Sequence, residues 1–126
     1  GIQLALPDRP VTAVIGDGSA LYTAQALWTA ANMKLPITYI ICNNRGYRIL
    51  KERVIARKGA TLANERFIGM DLRDPPVDFA GLAQSFGIPA QTITRPADII
   101  PALRAAQGET GPRLLNVIVH DGFAGQ

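Results

Sequence analysis

The chain has 126 residues, enough for one domain, and its 48% hydrophobic and 18% charged residues are ordinary for a globular domain with a core. A net charge of +3 is too small to single out nucleic acid as a partner, and the single cysteine, Cys42, leaves no internal disulfide and points to a reducing, cytoplasmic setting. The central apolar run, residues 37–42, is far short of a membrane span, and residues 1–6 lack the basic start and long apolar stretch of a signal peptide.

In chain order, residues 1–6 read as the last turns of a helix that began earlier, so the polypeptide is expected to extend upstream. Pro7 and Pro10 make residues 7–10 a turn, because neither can donate to a helix or ladder. The β-branched run at 11–15 predicts a buried parallel strand. Gly16-Asp17-Gly18-Ser19 breaks it, and residues 20–33 predict one helix with Leu21, Ala24, Leu27, Trp28 and Ala31 on a shared face. A second strand is expected at 37–42, a loop at 43–46, and a short helix from about Tyr47. Residues 54–76 show no clear period and read as a long connection. Asp78 is a plausible N-cap for a helix at 79–86, closed by Gly87. A strand at 90–93, a helix from Pro96 to about 107, a turn at 108–112 and a strand at 114–119 complete the pattern. Alternating strands and helices predict an α/β fold, with a mostly parallel sheet carrying helices on both faces and incomplete at the N-terminus.

The stretch from Gly16 to Tyr47 carries the chemistry. In a parallel sheet the turn after the first strand and the loop after the second emerge on the same edge, where such sheets bind ligands. Mg²⁺ wants oxygen ligands and takes few from protein when phosphate and water supply the rest. Asp17 offers a carboxylate, Asn44 an amide oxygen, and the loop at Arg45-Gly46 a backbone carbonyl. Gly16 and Gly18 are expected to allow unusual backbone angles and close approach, and Ser19 with nearby amides to cradle phosphate at a helix start.

Gly16-Asp17-Gly18, the residues 19–42, and then Asn43-Asn44 resemble the signature of thiamine-diphosphate enzymes. The segments Ala26-Leu27-Trp28-Thr29-Ala30-Ala31, Gly69-Met70-Asp71-Leu72, Asp78-Phe79 and Leu82-Ala83 resemble the benzoylformate decarboxylase and acetolactate synthase branch. The resemblance covers nearly the whole chain and implies a diphosphate-binding domain spanning residues 1–126, with thiamine diphosphate and Mg²⁺ as its cofactors. It implies Asp17, Asn44 and the Gly46 carbonyl as metal ligands, with Gly16, Gly18, Ser19 and Tyr47 at the diphosphate. It also implies a pyrimidine-binding domain as partner, supplying the activating Glu, and a large apolar residue under the cofactor about two dozen positions before the Gly-Asp-Gly turn. Neither lies in this chain, so it is expected to be a fragment with no catalytic residue of its own, inactive alone and part of a homo-oligomer, a dimer or tetramer. The complete enzyme would decarboxylate a small 2-oxo acid, the cofactor accepting electrons as carbon dioxide leaves. The alternatives are an acetolactate-synthase-like carboligase, which some members run with a flavin, or a stand-alone cofactor-binding subunit of a split enzyme. An ordinary nucleotide binder fits badly, because Gly-x-Gly-x-x-Gly and the Walker lysine pattern are both missing.

Simpler roles compete at other residues. Ser19 reads as a helix cap rather than a nucleophile, Cys42 as a small core residue, and Trp28 as core or subunit interface. His120, with no second histidine, reads as a surface side chain. Arg45, Arg48, Lys51, Arg53, Arg57 and Lys58 read as a solvated face; the sharper reading has Arg48 or Arg53 meeting an anionic substrate. Benzoylformate decarboxylases tend to carry an aromatic residue near the Arg53 position, so an arginine there weighs against benzoylformate as the substrate.

Overall fold

The computed structural model describes residues 1–57, 67–108, 110–120 and 122. Four strands form one parallel sheet: β1 (Val11–Gly16), β2 (Ile37–Asn43), β3 (Ala90–Ile93) and β4 (Arg113–Ile118), in the order β1-β2-β4-β3. Gly16 is level with Cys42, and Asn43 with Ile118, so the carboxyl ends of β1, β2 and β4 share one rim. The strands are rich in Val, Ile and Leu, as residues packed on both sides of a sheet must be.

The two faces carry separate cores. On one, Ile41 and Leu114 pack with Leu27, Phe79, Ala83 and Ile88. Helices α2 (Asp17–Tyr22), α3 (Ala26–Asn32) and α5 (Phe79–Ser85) supply that cover. Phe79 is fully buried, a contribution of about 2–3 kcal/mol from removing its ring from water. On the opposite face Leu115, Val117 and Ile93 pack against Ala102 of α6 (Ile99–Ala106). This second layer stops short of β1, where Val14 remains 67% exposed. The α/β expectation with helices on both faces therefore holds, and the cover of the second face is partial.

Several elements differ from the sequence reading. Residues 20–33 are not one helix. The first of two helices starts at Asp17, because Asp17 and Gly18 already have helical geometry, and it ends at Thr23, whose φ of −140° leaves the helical region. Ala26, Leu27 and Trp28 restart the chain through N–H bonds to the carbonyls three residues back, at Thr23, Ala24 and Gln25. The reset rotates the supposed common face, so Leu27 and Ala30 are buried while Trp28 is 55% exposed and is not core. The connection at 54–76 is also shorter than expected. Helix α4 (Arg48–Ala56) takes its first three residues, and residues 67–76 fold back onto the loop after β2. Lys58 and the rest of 58–66 lie outside the described residues.

Other expectations stand. Helix α1 (Ile2–Ala5) precedes the proline turn, and Gln3 ties that turn down by donating to the carbonyls of Leu6, Pro7 and Arg9. Asp78 caps α5 by accepting the Gly81 N–H, and Gly87 closes it at φ +79°. The Ile88 N–H reaches back to the Ala83 carbonyl, as such a helix end requires. The region after Arg95 opens as a 3₁₀ turn, Pro96–Asp98, before α6. No helix of the described residues is long and apolar enough to cross a membrane.

Candidate functional site

Asp17 begins α2 at the end of β1, and its carboxylate is buried, with only 3% of the residue exposed. A buried carboxylate must be paired or hydrogen-bonded. Here Oδ1 accepts the Gly18 N–H at 2.8 Å and Oδ2 accepts the Gly46 N–H at 3.1 Å. The same Gly46 N–H lies 3.1 Å from Asn44 Oδ1. One amide proton is thus shared by the carboxylate from β1 and the amide oxygen from the loop after β2. Both oxygens lie within 3.1 Å of one nitrogen, so they are at most about twice that distance apart. Asp17, Asn44 and Gly46 are brought together on this rim through the Gly46 N–H.

The loop holding Asn44 is built from local chemistry. Asn43 Oδ1 accepts the Arg45 N–H at 3.0 Å, and Asn44 Oδ1 accepts from Gly46: two successive side-chain-to-backbone turns of the kind asparagine favours. Arg45 takes the left-handed conformation, φ +59°, which is unusual for a residue with a side chain. Residues 70–72 then pair alongside: the Tyr47 N–H donates to the Met70 carbonyl at 2.8 Å, and the Leu72 N–H to the Arg45 carbonyl at 2.9 Å.

The glycines act otherwise than expected. None of Gly16, Gly18 and Gly46 has a positive φ. Gly16 is extended, at φ −70° and ψ 150°, and a methyl group added there would meet nothing within 4 Å. Gly18 is constrained by close approach instead: any side chain would run into the Tyr47 ring. A methyl group on Gly46 would come within 2.9 Å of the Met70 carbonyl oxygen. Ser19 makes no cap, since α2 begins two residues before it and the capping position is Gly16.

Three further residues escaped the sequence reading. Asn43 Nδ2 donates to Asn116 Oδ1 at 3.1 Å, and Asn116 Nδ2 donates to Thr92 Oγ1 at 3.1 Å. This polar chain crosses β2, β4 and β3 on one face and holds Asn43 in place. Its signal was a lone asparagine inside the apolar Leu114-Leu115-Asn116-Val117-Ile118, since a buried polar residue usually has a partner. The third is Lys51, read as solvated but 3% exposed. It follows Tyr47 by four residues, on the same face of α4 as the half-buried Ile55.

Elsewhere the bland readings serve. Cys42 is a free thiol, part-buried rather than fully so because its side of the sheet is only partly covered there. His120 is exposed and accepts the Gly122 N–H. Arg45 and Arg53 are exposed, and Arg48 pairs with Glu52 at 2.7 Å.

Residues 1–117 match the family described as thiamine pyrophosphate enzyme, C-terminal TPP binding domain. The chain belongs to this family. Benzoylformate decarboxylase of Pseudomonas aeruginosa is 34% identical over 117 residues, 93% of this chain and 21% of its own length. A Mycobacterium tuberculosis protein, provisionally named the acetolactate synthase large subunit IlvX, is 39% identical over 122 residues, 94% of this chain and 23% of its own. The solved structure of the Rhodococcus jostii RHA1 thiamine diphosphate-dependent 4-hydroxybenzoylformate decarboxylase superposes with a TM-score of 0.83 at 36% identity, covering 94% of this chain and 21% of that one. The chain therefore spans about a fifth of the length of these relatives.

The donor set of this thiamine-diphosphate-binding domain suits a hard cation. Among the described residues no group of three His, Cys, Asp or Glu could hold a metal. One carboxylate, one amide oxygen and one backbone carbonyl are what Mg²⁺ takes when phosphate and water complete its shell.

Proposed function

We propose that residues 1–126 bind the diphosphate of thiamine diphosphate through Mg²⁺, as one domain of a 2-oxo acid decarboxylase resembling benzoylformate decarboxylase. The meeting of Asp17 Oδ2 and Asn44 Oδ1 at one Gly46 N–H carries the reading, because it brings two oxygen donors from separate strand ends to the same corner of the rim. Asp17, Asn44 and the Gly46 carbonyl would hold the cation. The backbone at Gly16, Gly18 and Ser19 would face the phosphates, and Tyr47 would wall the site by packing on Gly18. When bound, the cofactor supplies an electron sink for carbon dioxide loss. This chain's residues anchor and orient it and supply no catalytic group. A pyrimidine-binding domain, from the same polypeptide or a partner subunit, would complete the site, in an oligomer that is a dimer or tetramer.

Calorimetric titration of the full-length protein with thiamine diphosphate and Mg²⁺ tests this. Wild type should bind, and Asp17→Ala should weaken binding by about a hundredfold or more with an unchanged circular dichroism spectrum. Equal binding by both proteins would sink the assignment. A carboligase is the second reading, supported by the 39% identity to the acetolactate synthase relative. Product analysis separates the two: an aldehyde with carbon dioxide for the decarboxylase, an acetohydroxy acid for the carboligase.

A further inference from the structure

Lys51 is a buried cation, 3% exposed, and its ammonium needs an accounting. Nζ lies 2.6 Å from Asp71 Oδ1, with the lysine side chain 4% and the aspartate side chain 43% exposed. It also stands over the Phe67 ring, 5.4 Å from its centre. Lys51 therefore grips residues 67–71 at two points. That segment is the one whose backbone pairs with the loop after β2: Gly46 forms an antiparallel bridge with Asp71, flanked by the Tyr47-to-Met70 and Leu72-to-Arg45 hydrogen bonds. A methyl group on Gly46 would lie 3.6 Å from both Lys51 Nζ and Asp71 Oδ1. The contacts close a ring that runs from Gly46 through α4 to Lys51, across the ion pair to Asp71, and back to Gly46.

We infer that Lys51 and Asp71 are positioning residues for the divalent cation: their ion pair clamps residues 70–72 on the loop and so fixes the Gly46 carbonyl. The inference rests on the reading of Asp17, Asn44 and Gly46 as the cation's oxygen donors. Losing either member of the pair should therefore loosen the same loop.

The test is Mg²⁺ titration of the full-length protein at saturating thiamine diphosphate, followed by calorimetry, together with amide hydrogen exchange at Tyr47 and Leu72 in the metal-free protein. Lys51→Met and Asp71→Asn should each weaken Mg²⁺ binding about tenfold. The double variant should lie within about threefold of either single variant, because both break the same clamp. Exchange at both amides should quicken in Lys51→Met. Leu115→Ala, on the far face of the sheet, lowers stability without touching the clamp and should leave Mg²⁺ affinity unchanged. Wild-type titration in Lys51→Met, unchanged exchange, or a loss matched by Leu115→Ala overturns the clamp. If Asp17→Ala still abolishes binding, the site reading survives that outcome. A wild type that takes up no Mg²⁺ sinks both.

Discussion

Asn116 shows how a single side chain outside the motif can steady it. The motif residues Asp17, Asn43 and Asn44 were legible because their types and spacing are tied to strand ends. Their supports were not, because Asn116 and Thr92 lie more than forty residues further along the chain and meet Asn43 only through strand order. Asn43 and Asn116 are each 3% exposed, so neither can turn to water. Asn116→Leu would leave Asn43 Nδ2 without its acceptor, a cost of about 1–3 kcal/mol. Urea denaturation should show that loss, whereas stability equal to wild type would mean that the polar chain is replaceable. The glycines teach a related lesson. Composition marked them as special, but whether through backbone angle or through a neighbour's ring depends on where Tyr47 falls, and no local pattern encodes that.

Among the elements, helices with chemical punctuation were read best. Helix α5 is bounded by a capping aspartate and a closing glycine, and both act as their chemistry demands. Asp78→Ala should cost about 1 kcal/mol, read as a lower melting temperature; an unchanged midpoint would show that the Asp78 cap is idle. The helical stretch after β1 carried no such mark. Nothing in Tyr22-Thr23-Ala24-Gln25 forbids a helix, so its division into two follows from packing rather than propensity. The segment after α4 was the hardest. Its order comes from backbone pairing with the loop after β2 and from Lys51, contacts that a search for periodicity passes over.

For the whole molecule, the parallel sheet and its two-sided cover were legible from the alternation of apolar runs and helical stretches. The uncovered margin over Val14 was not, because burial on one strand depends on what crosses over it. The core on the Ile41 face also carries a titratable group at its edge. Burial pushes the Tyr39 phenol up from its ordinary value of 10.0. The folded protein then keeps a proton that the unfolded chain gives up, so this phenol's contribution to stability is constant below about pH 10 and falls above it until the folded phenol ionises. Tyr39→Phe should flatten the part of that alkaline decline due to this phenol, measured as denaturation midpoint against pH; an identical decline in the variant would assign it to other groups. The crosswise asparagine chain has a further effect during folding. Slipping β4 by one residue against β2 would turn Asn116 toward the side occupied by Ile93 and Ala102 and strand Asn43 without its acceptor. Misaligned sheets are thereby disfavoured before any ligand is met, and the same rung that steadies the binding loop serves the folding chain as a proofreading key.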